Sequence, residues 1–385
     1  MGVRPEILII GAGMAGASAG YGLAGDASVT ILEQEEIPGY HTTGRSAAFY
    51  AETYGNELVR RLTSASKAFF LDPPEGFTDS KLVHDRGALF LARKDQCVSL
   101  SALYEAKHKV LPSVRRVDRD FIIERVPSIR PDYAAQGVWD PECRDIDVHT
   151  LHQSFLAGFR DRGGQVVNDA RVTKIKRTGK GWQVKTEDGR DFGADIIVNA
   201  AGAWADLVAG MAGAAPLGLV PKRRTVIIFP AAGGLERPDW PLVLDADDQF
   251  YFKPETGRVL ATPGDATPMP PQDVQPDEMD VALTIDRVER VLTCPVGRVE
   301  SKWAGLRTFA PDNTPVVGED PDVPGFFWFA GQGGYGIQTA PAMSALIAGL
   351  VKDGSVPEWL ADFGVKSVHY APVRFRGRPL SVLKA

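Results

Sequence analysis

Residues 6–16 read Glu6-Ile7-Leu8-Ile9-Ile10-Gly11-Ala12-Gly13-Met14-Ala15-Gly16, an apolar run that leads straight into G-x-G-x-x-G. The run has the length and composition of a buried strand, and the small residues of 15–24 suit a tightly packed helix behind it. Each glycine has a physical task. Gly11 permits a sharp turn, Gly13 lets backbone approach a diphosphate, and Gly16 lets the helix close on the sheet. The helix start at Met14 and Ala15 offers N–H groups and a positive dipole end to that diphosphate. A second strand over 29–33 ends at Glu33 and Gln34, about 20 residues on, where a carboxylate accepts ribose hydroxyl hydrogen bonds. Strand, turn, helix and strand within about 30 residues make a βαβ unit with parallel pairing. The pattern predicts a dinucleotide and, through Glu33, disfavours a 2′-phosphate. NAD and FAD both stay open on this motif alone.

Outward from this unit, the 385 residues carry 43 Lys/Arg against 49 Asp/Glu, a formal charge of −6. A phosphate-backbone binder needs a basic surface, so no nucleic-acid partner is expected. Cys97, Cys143 and Cys294 form no C-x-x-C pair, and the six histidines lack ligand spacing, His149 and His152 included. Neither a disulfide framework nor a metal site is expected. The apolar stretches 196–220 and 326–351 invite a membrane reading by length. Glycines, glutamines and a proline interrupt the second and no basic flank orients it, so no integral span is expected. A cytoplasmic place is expected, with a peripheral position at the inner membrane left open.

Hydrophobic periodicity predicts helices over 56–71 and 96–110, and a strand over 86–92. A further helix over 150–162 would have Thr150 as its N-cap and Gly163-Gly164 as its stop. Strands follow at 165–167, 170–176, 181–185 and 194–199, with hairpin chemistry between them. Segments 222–229, 249–253 and 258–262 read as strands of another sheet. A helix should open in 273–284 and end near Leu292. Strands at 316–317 and 326–330 precede a final helix near 338–351. From Ser355 the periodicity fades, predicting a poorly packed tail.

Three loops point towards FAD. Residues 40–48 bring together Thr42, Thr43, Gly44, Arg45, Ser46, Ala47 and Ala48, hydroxyls and one cation suited to a second clamp on an extended diphosphate. The strand at 195–199 runs into a small-residue turn with Ala200, Gly202 and Trp204. Gly331-Gln332-Gly333-Gly334-Tyr335-Gly336-Ile337-Gln338 is an unusually glycine-dense turn, whose amides suit the negative charge of a reduced flavin.

Together with KWAGLRTFAPDNTPVVG (302–318), GFFWFAGQGGYGIQTAP (325–341) and VNAAGAW (198–204), these segments resemble the FAD-dependent D-amino-acid dehydrogenase/oxidase family. That family includes glycine and sarcosine oxidases, and the resemblance runs from Ile7 to about Leu350. The TGRSAA loop, PLGLVPKRRT (216–225) and GYGIQT look closest to the D-arginine dehydrogenase branch. The resemblance implies noncovalent FAD and an α/β (α+β) fold. In it a Rossmann-like FAD-binding domain (1–85, 146–220, 303–360) is interleaved with a mixed-sheet substrate-binding domain (86–145, 221–302), followed by a tail (361–385). It adds Val172, Gly305, Gly331, Gly333, Gly334, Tyr335, Gly336, Ile337 and Gln338 to the cofactor-binding residues.

The implied activity is oxidation of a D-amino acid to its imino acid by hydride transfer to flavin, then hydrolysis to a 2-oxo acid and ammonia. By resemblance Arg307 is the carboxylate clamp, a role that suits a guanidinium fork. A surface arginine paired with Asp312 is the plain alternative. Arg224 is either a second substrate contact or, with Lys222 and Arg223, part of a solvated strand face. Tyr54 and Tyr251 match positions over the substrate, and Gln338 with the Gly334 backbone would meet its amine. No catalytic base stands out; positioning would supply most of the acceleration.

Two departures bear on the substrate. Ala88 stands where the arginine-preferring branch would carry a carboxylate, and Phe49 where a histidine is expected, giving an apolar wall that suits a neutral side chain. Glu52 is placed to restore the charge. The expected partners are an amino-acid substrate and an electron acceptor, oxygen, quinone or another. Fold does not fix function, and three alternatives stand: a related flavoenzyme acting on a secondary amine or 2-hydroxy acid, an NAD-dependent dehydrogenase, and a non-catalytic flavoprotein subunit.

Overall fold

The computed structural model of the chain describes residues 4–230 and 238–376. Strand β1 (Glu6–Ile10) pairs in parallel with β2 (Ser28–Leu32), with Ile7 opposite Val29 and Ile9 opposite Ile31, and helix α1 (Met14–Leu23) crosses between them. On its other side β1 pairs with Ile196–Asn199, which pairs with Phe326–Ala330. Gln165–Val167 lies outside β2, and Val316–Glu319, antiparallel, closes the opposite edge of this six-stranded sheet. Successive residues of a strand face opposite ways, and both faces here are covered. Ile7 and Ile9 pack against Leu23, Met343, Leu346 and Ile347 of the helical layer. Leu8 and Ile10 pack against Ile175, Trp182 and Val184.

Those last residues belong to a three-stranded meander of Val172–Thr178, Gly181–Thr186 and Asp191–Ala194. Residues 194–199 are therefore two strands, not one. The chain breaks at Asp195, whose Oδ2 accepts the Glu6 N–H at 2.9 Å, and the halves join different sheets.

A second sheet has eight strands in the order Ser301–Phe309, Val220–Phe229, Arg258–Thr262, Tyr251–Glu255, Leu242–Asp245, Ala88–Ala92, Gln136–Asp140, Arg115–Val117. All neighbours are antiparallel except Leu242–Asp245 with Ala88–Ala92. Alternation again sorts the faces. Leu89 and Leu91 enter a core with Val243, Phe252 and the helix Glu278–Val291. Ala88, Phe90, Leu242 and Leu244 look the other way, towards the helix Cys97–Val110. The chain passes repeatedly between the two sheets and returns to the six-stranded one at Val316.

Three local expectations are corrected. The helix expected from Thr150 is Val148–Asp161, capped by Asp147, whose carboxylate accepts both the N–H (2.9 Å) and the hydroxyl (2.8 Å) of Thr150. The acidic segment from Asp273 becomes helical only at Glu278, where Asp277 caps the Met279 N–H. The chain beyond Ser355 is well packed: Leu360, Val365, Tyr370 and Phe375 are buried, and the Tyr370 hydroxyl donates to the Leu58 carbonyl at 2.9 Å. Residues 377–385 lie outside the described residues. No described helix is long and apolar enough to cross a membrane.

Candidate active site

One cavity of about 700 Å³ runs between the two sheets, a size typical of small-molecule and cofactor sites. Its first end is built by β1, α1 and β2. Gly11 adopts φ +99, and a Cβ there would stand 2.7 Å from the Ala200 carbonyl oxygen, so the turn requires glycine. Gly16 is just behind the lining, packed on the Gly11 carbonyl. The Glu33 carboxylate accepts the N–H of Ala12 at 2.6 Å and that of Glu35 at 3.1 Å. Burial pushes this carboxyl up from its ordinary pKa, against the pull of those two amides. His152, held neutral by burial, donates Nε2–H to the Ala12 carbonyl at 2.9 Å. The first α-helical bond is Ala17 N–H to Gly13, so the amides of Ala15 and Gly16 precede it, and Thr43 Oγ1 accepts the Met14 N–H at 2.9 Å. Backbone amides, small residues and a ribose-competent carboxylate at the end of β2 fit an extended dinucleotide.

The 40–48 loop binds the two sheets together. Thr42 Oγ1 donates to the Leu306 carbonyl at 2.7 Å, and Arg45 pairs with Asp273 at 2.6 Å while donating to the carbonyls of Val274 and Ala304. Arg45 lines the cavity with its charge paired to Asp273. Of the residues expected to touch the cofactor, Gly16, Gly44 and Tyr335 stand behind the lining and all the others face the cavity. Tyr335 stacks edge-on against Tyr54 at 4.9 Å and against Phe309 at 6.1 Å, bracing the 331–338 turn.

Beyond that turn lies a cationic end. Asp312, the expected surface partner of Arg307, is bound by Arg374 instead, at 2.8 Å. Arg307 makes no ion pair among the described residues, and its buried Nε has no hydrogen-bond partner. A Cβ on Gly334 would lie 2.9 Å from Arg307 Nη1 and 3.0 Å from the Tyr54 hydroxyl, so the three meet at one point. Arg224 reaches the same space, its Nε donating to the Asp265 carbonyl at 2.8 Å and Nη2 to that of Gly264 at 3.1 Å. Burial first, then the neighbouring Arg307 charge, pushes the Arg224 guanidinium down from its ordinary pKa. Two guanidiniums share this cavity end, Arg224 paired with the Asp265 carboxylate at 3.6 Å and Arg307 with no carboxylate among the described residues, an arrangement suited to an anion. Tyr251 lies 5.9 Å from Arg224 and, across Phe49, faces Tyr54.

One expectation is narrowed here and another corrected. The Gln338 side chain is committed to the protein: its Oε1 accepts the Ala51 N–H at 3.1 Å and its Nε2 donates to Thr63 at 2.9 Å. It buttresses the wall through these two bonds, which leaves one Oε1 lone pair and one Nε2 hydrogen for a substrate amine. Glu52 does not restore charge to the Phe49/Ala88 wall, since it is bonded to Lys67 at 2.6 Å and to Ser64, away from the cavity.

Sequence reasoning missed Thr53, Lys107, Asp140 and Asp248, which line the same cavity. Lys107 sits in the last turn of Cys97–Val110 beside His108 and Lys109, where basic residues ordinarily read as complements to the helix dipole. Asp248 lies in the turn-like run 245–248, at φ +56. Burial raises the carboxyls of Asp140 and Asp248. Cys143 also lines the cavity as a neutral thiol, pushed up by burial. No group of three or more His, Cys, Asp or Glu among the described residues is arranged to hold a metal ion.

A family model described as DAO, FAD dependent oxidoreductase, matches residues 6–350. Dimethylglycine dehydrogenase of Rattus norvegicus is 26% identical over 92% of this chain and 44% of its own length. Glycine oxidase of Bacillus subtilis (strain 168) is 24% identical over 94% of this chain and 96% of that protein. The chain therefore spans less than half of the dimethylglycine dehydrogenases it matches, and almost all of the glycine oxidase. Among solved structures, L-proline dehydrogenase from P. horikoshii shares the fold with a TM-score of 0.78 at 22% identity, covering 97% of this chain and 98% of that one.

Proposed function

The chain belongs to the DAO family of FAD-dependent oxidoreductases, and from that premise we propose that it oxidises a carboxylate-bearing amine, foremost a D-amino acid, to the imino acid. The observation that carries this reading is Arg307: a cation facing the cavity beside the glycine turn, with no anionic partner among the described residues and an unpaired buried Nε. A guanidinium so placed is completed by a bidentate carboxylate. FAD fits the cradle already described, and when bound it supplies the acceptor for the hydride that leaves the substrate Cα.

The chain's own residues bind and orient. Arg307 and Arg224 hold the carboxylate, the Tyr54 hydroxyl reaches the same point, and the rings of Phe49, Tyr54 and Tyr251 exclude water. A neutral amine then needs no protein base, and positioning supplies the rate. The imino acid hydrolyses after release to a 2-oxo acid and ammonia. No cysteine lies in the 331–338 turn, so the flavin should be held noncovalently and come free on acid precipitation.

A second reading, oxidation of an N-substituted glycine, is favoured by the likeness to dimethylglycine dehydrogenase and by the small, apolar Ala88 in the wall. The test is anaerobic bleaching of the visible flavin band by paired D- and L-amino acids, sarcosine, dimethylglycine, proline and 2-hydroxy acids. Bleaching by D-enantiomers supports the first reading, and bleaching by N-methyl glycines alone the second. Arg307→Ala should lower kcat/KM by roughly 100-fold or more. Unchanged kcat/KM in that variant, or bleaching by hydroxy acids only, would remove the carboxylate-bearing amine.

A further inference from the structure

Beside the apolar wall of Ala88, Phe90 and Leu244, the cavity carries one cation, Lys107, with Thr53 and Asp140 next to it. Lys107 Nζ lies 4.3 Å over the Phe90 ring and donates to Thr53 Oγ1 at 3.1 Å. An ammonium carries three donors, yet among the described residues Thr53 is its single hydrogen-bond partner and no carboxylate lies within ion-pair distance. The nearest acid, Asp140, is reached only through Thr53, whose hydroxyl donates to Asp140 Oδ2 at 3.0 Å; Oδ1 accepts the Glu142 N–H at 3.1 Å. Burial lowers the Lys107 pKa despite the attraction of Asp140, so the ammonium is under-compensated where it stands. Asp248 also feels Lys107, Arg224 and Arg307, and its own burial favours the neutral carboxyl, which limits its repulsion of an anion.

We infer that Lys107 makes this part of the cavity a subsite for a second carboxylate, so that the preferred substrate is an amine bearing two carboxylates, one held by Arg307 and the other, distal, by Lys107. The inference rests on the carboxylate-bearing-amine reading and adds the class of side chain. It gives Thr53 a positioning role, since its hydroxyl orients the ammonium while passing its own proton towards Asp140. Cationic side chains are rejected by the same charge.

The decisive measurement is equilibrium binding to the oxidised holoenzyme, followed by perturbation of the flavin spectrum. Succinate, glutarate and adipate are compared with butyrate, valerate and hexanoate. At least one dicarboxylate should bind tenfold or more tighter than its monocarboxylate counterpart. Lys107→Met should erase that difference while moving monocarboxylate affinity by less than about threefold, and Lys107→Arg should keep most of it. Lys107→Gln, which retains a donor without the charge, serves if the methionine variant does not fold, with the same loss expected. A wild-type protein indifferent to the second carboxylate, or a preference that survives in the uncharged variants, overturns the subsite. Failure of the parent reading looks different: Arg307→Ala would then leave monocarboxylate binding unchanged, and no amino acid or amine would bleach the flavin.

Discussion

Gly334 and Arg307 are fitted to each other: a single Cβ on Gly334 would come within 2.9 Å of Arg307 Nη1. The backbone there is not in the left-handed region, so alanine is conformationally acceptable at this position. The atoms it would displace are the ends of two flexible side chains, Arg307 and Tyr54. Gly334→Ala should therefore leave the thermal midpoint within a few degrees of wild type and lower kcat/KM by about 10- to 100-fold, the cost of moving the binding groups by a fraction of an ångström. Equal losses in a steady-state assay and in flavin retention would instead mark a cofactor defect.

The same wall makes a statement about cations. Ala88 is buried, Glu52 is tied to Lys67, and Lys107 adds positive charge. D-Arg and D-Lys should rank below D-Met and D-Leu in kcat/KM. Ala88→Glu should raise the ratio for D-Arg over D-Leu by at least about tenfold, since it supplies the carboxylate a guanidinium needs. A wild-type profile topped by D-Arg would show that another group, such as Asp248, receives the cation.

What the sequence disclosed was local. The β1–α1–β2 unit and its glycines were legible because strand length, turn chemistry and helix composition all sit within 30 residues. Lys222-Arg223-Arg224 could not be sorted without pairing. Strand alternation sends Lys222 over Phe309 at 5.2 Å, Arg223 to Asp277 and Asp280, and Arg224 into the cavity. Thr53, Lys107 and Asp140 come from three separate elements and meet only in the folded chain, so no spacing announces them. The segment after Ser355 buries isolated residues from very short helices, which leaves no period to detect.

Arg374 shows how that segment is held. It bonds the Asp312 carboxylate at 2.8 Å and the carbonyls of Thr314 (2.7 Å) and Pro315 (3.1 Å), next to the strand Val316–Glu319. Arg374→Ala removes this donor from an exposed carboxylate, which keeps the Thr314 N–H at 3.0 Å, and from two carbonyls. A loss of about 1–2 kcal/mol in unfolding free energy is expected, measured by urea denaturation of the holoenzyme.

Glu33 gives a pH dependence with a definite sign. Burial raises its folded-state pKa above the unfolded value, against two backbone N–H groups that favour the anion. The native state therefore binds more protons at this site than the unfolded chain does. Its contribution to stability is fully present below the unfolded carboxylate pKa and is lost as the pH rises through the folded one. Glu33→Gln keeps an acceptor for one of the amides and cannot titrate. Denaturant unfolding of flavin-free wild type and variant should show wild type gaining relative to Glu33→Gln as the pH falls from neutrality to about 4.5, with the carboxylates elsewhere cancelling in the difference. A difference that stays flat or runs the other way would mean that the Ala12 and Glu35 amides outweigh desolvation, and that Glu33 meets a ribose as a fully stabilised anion.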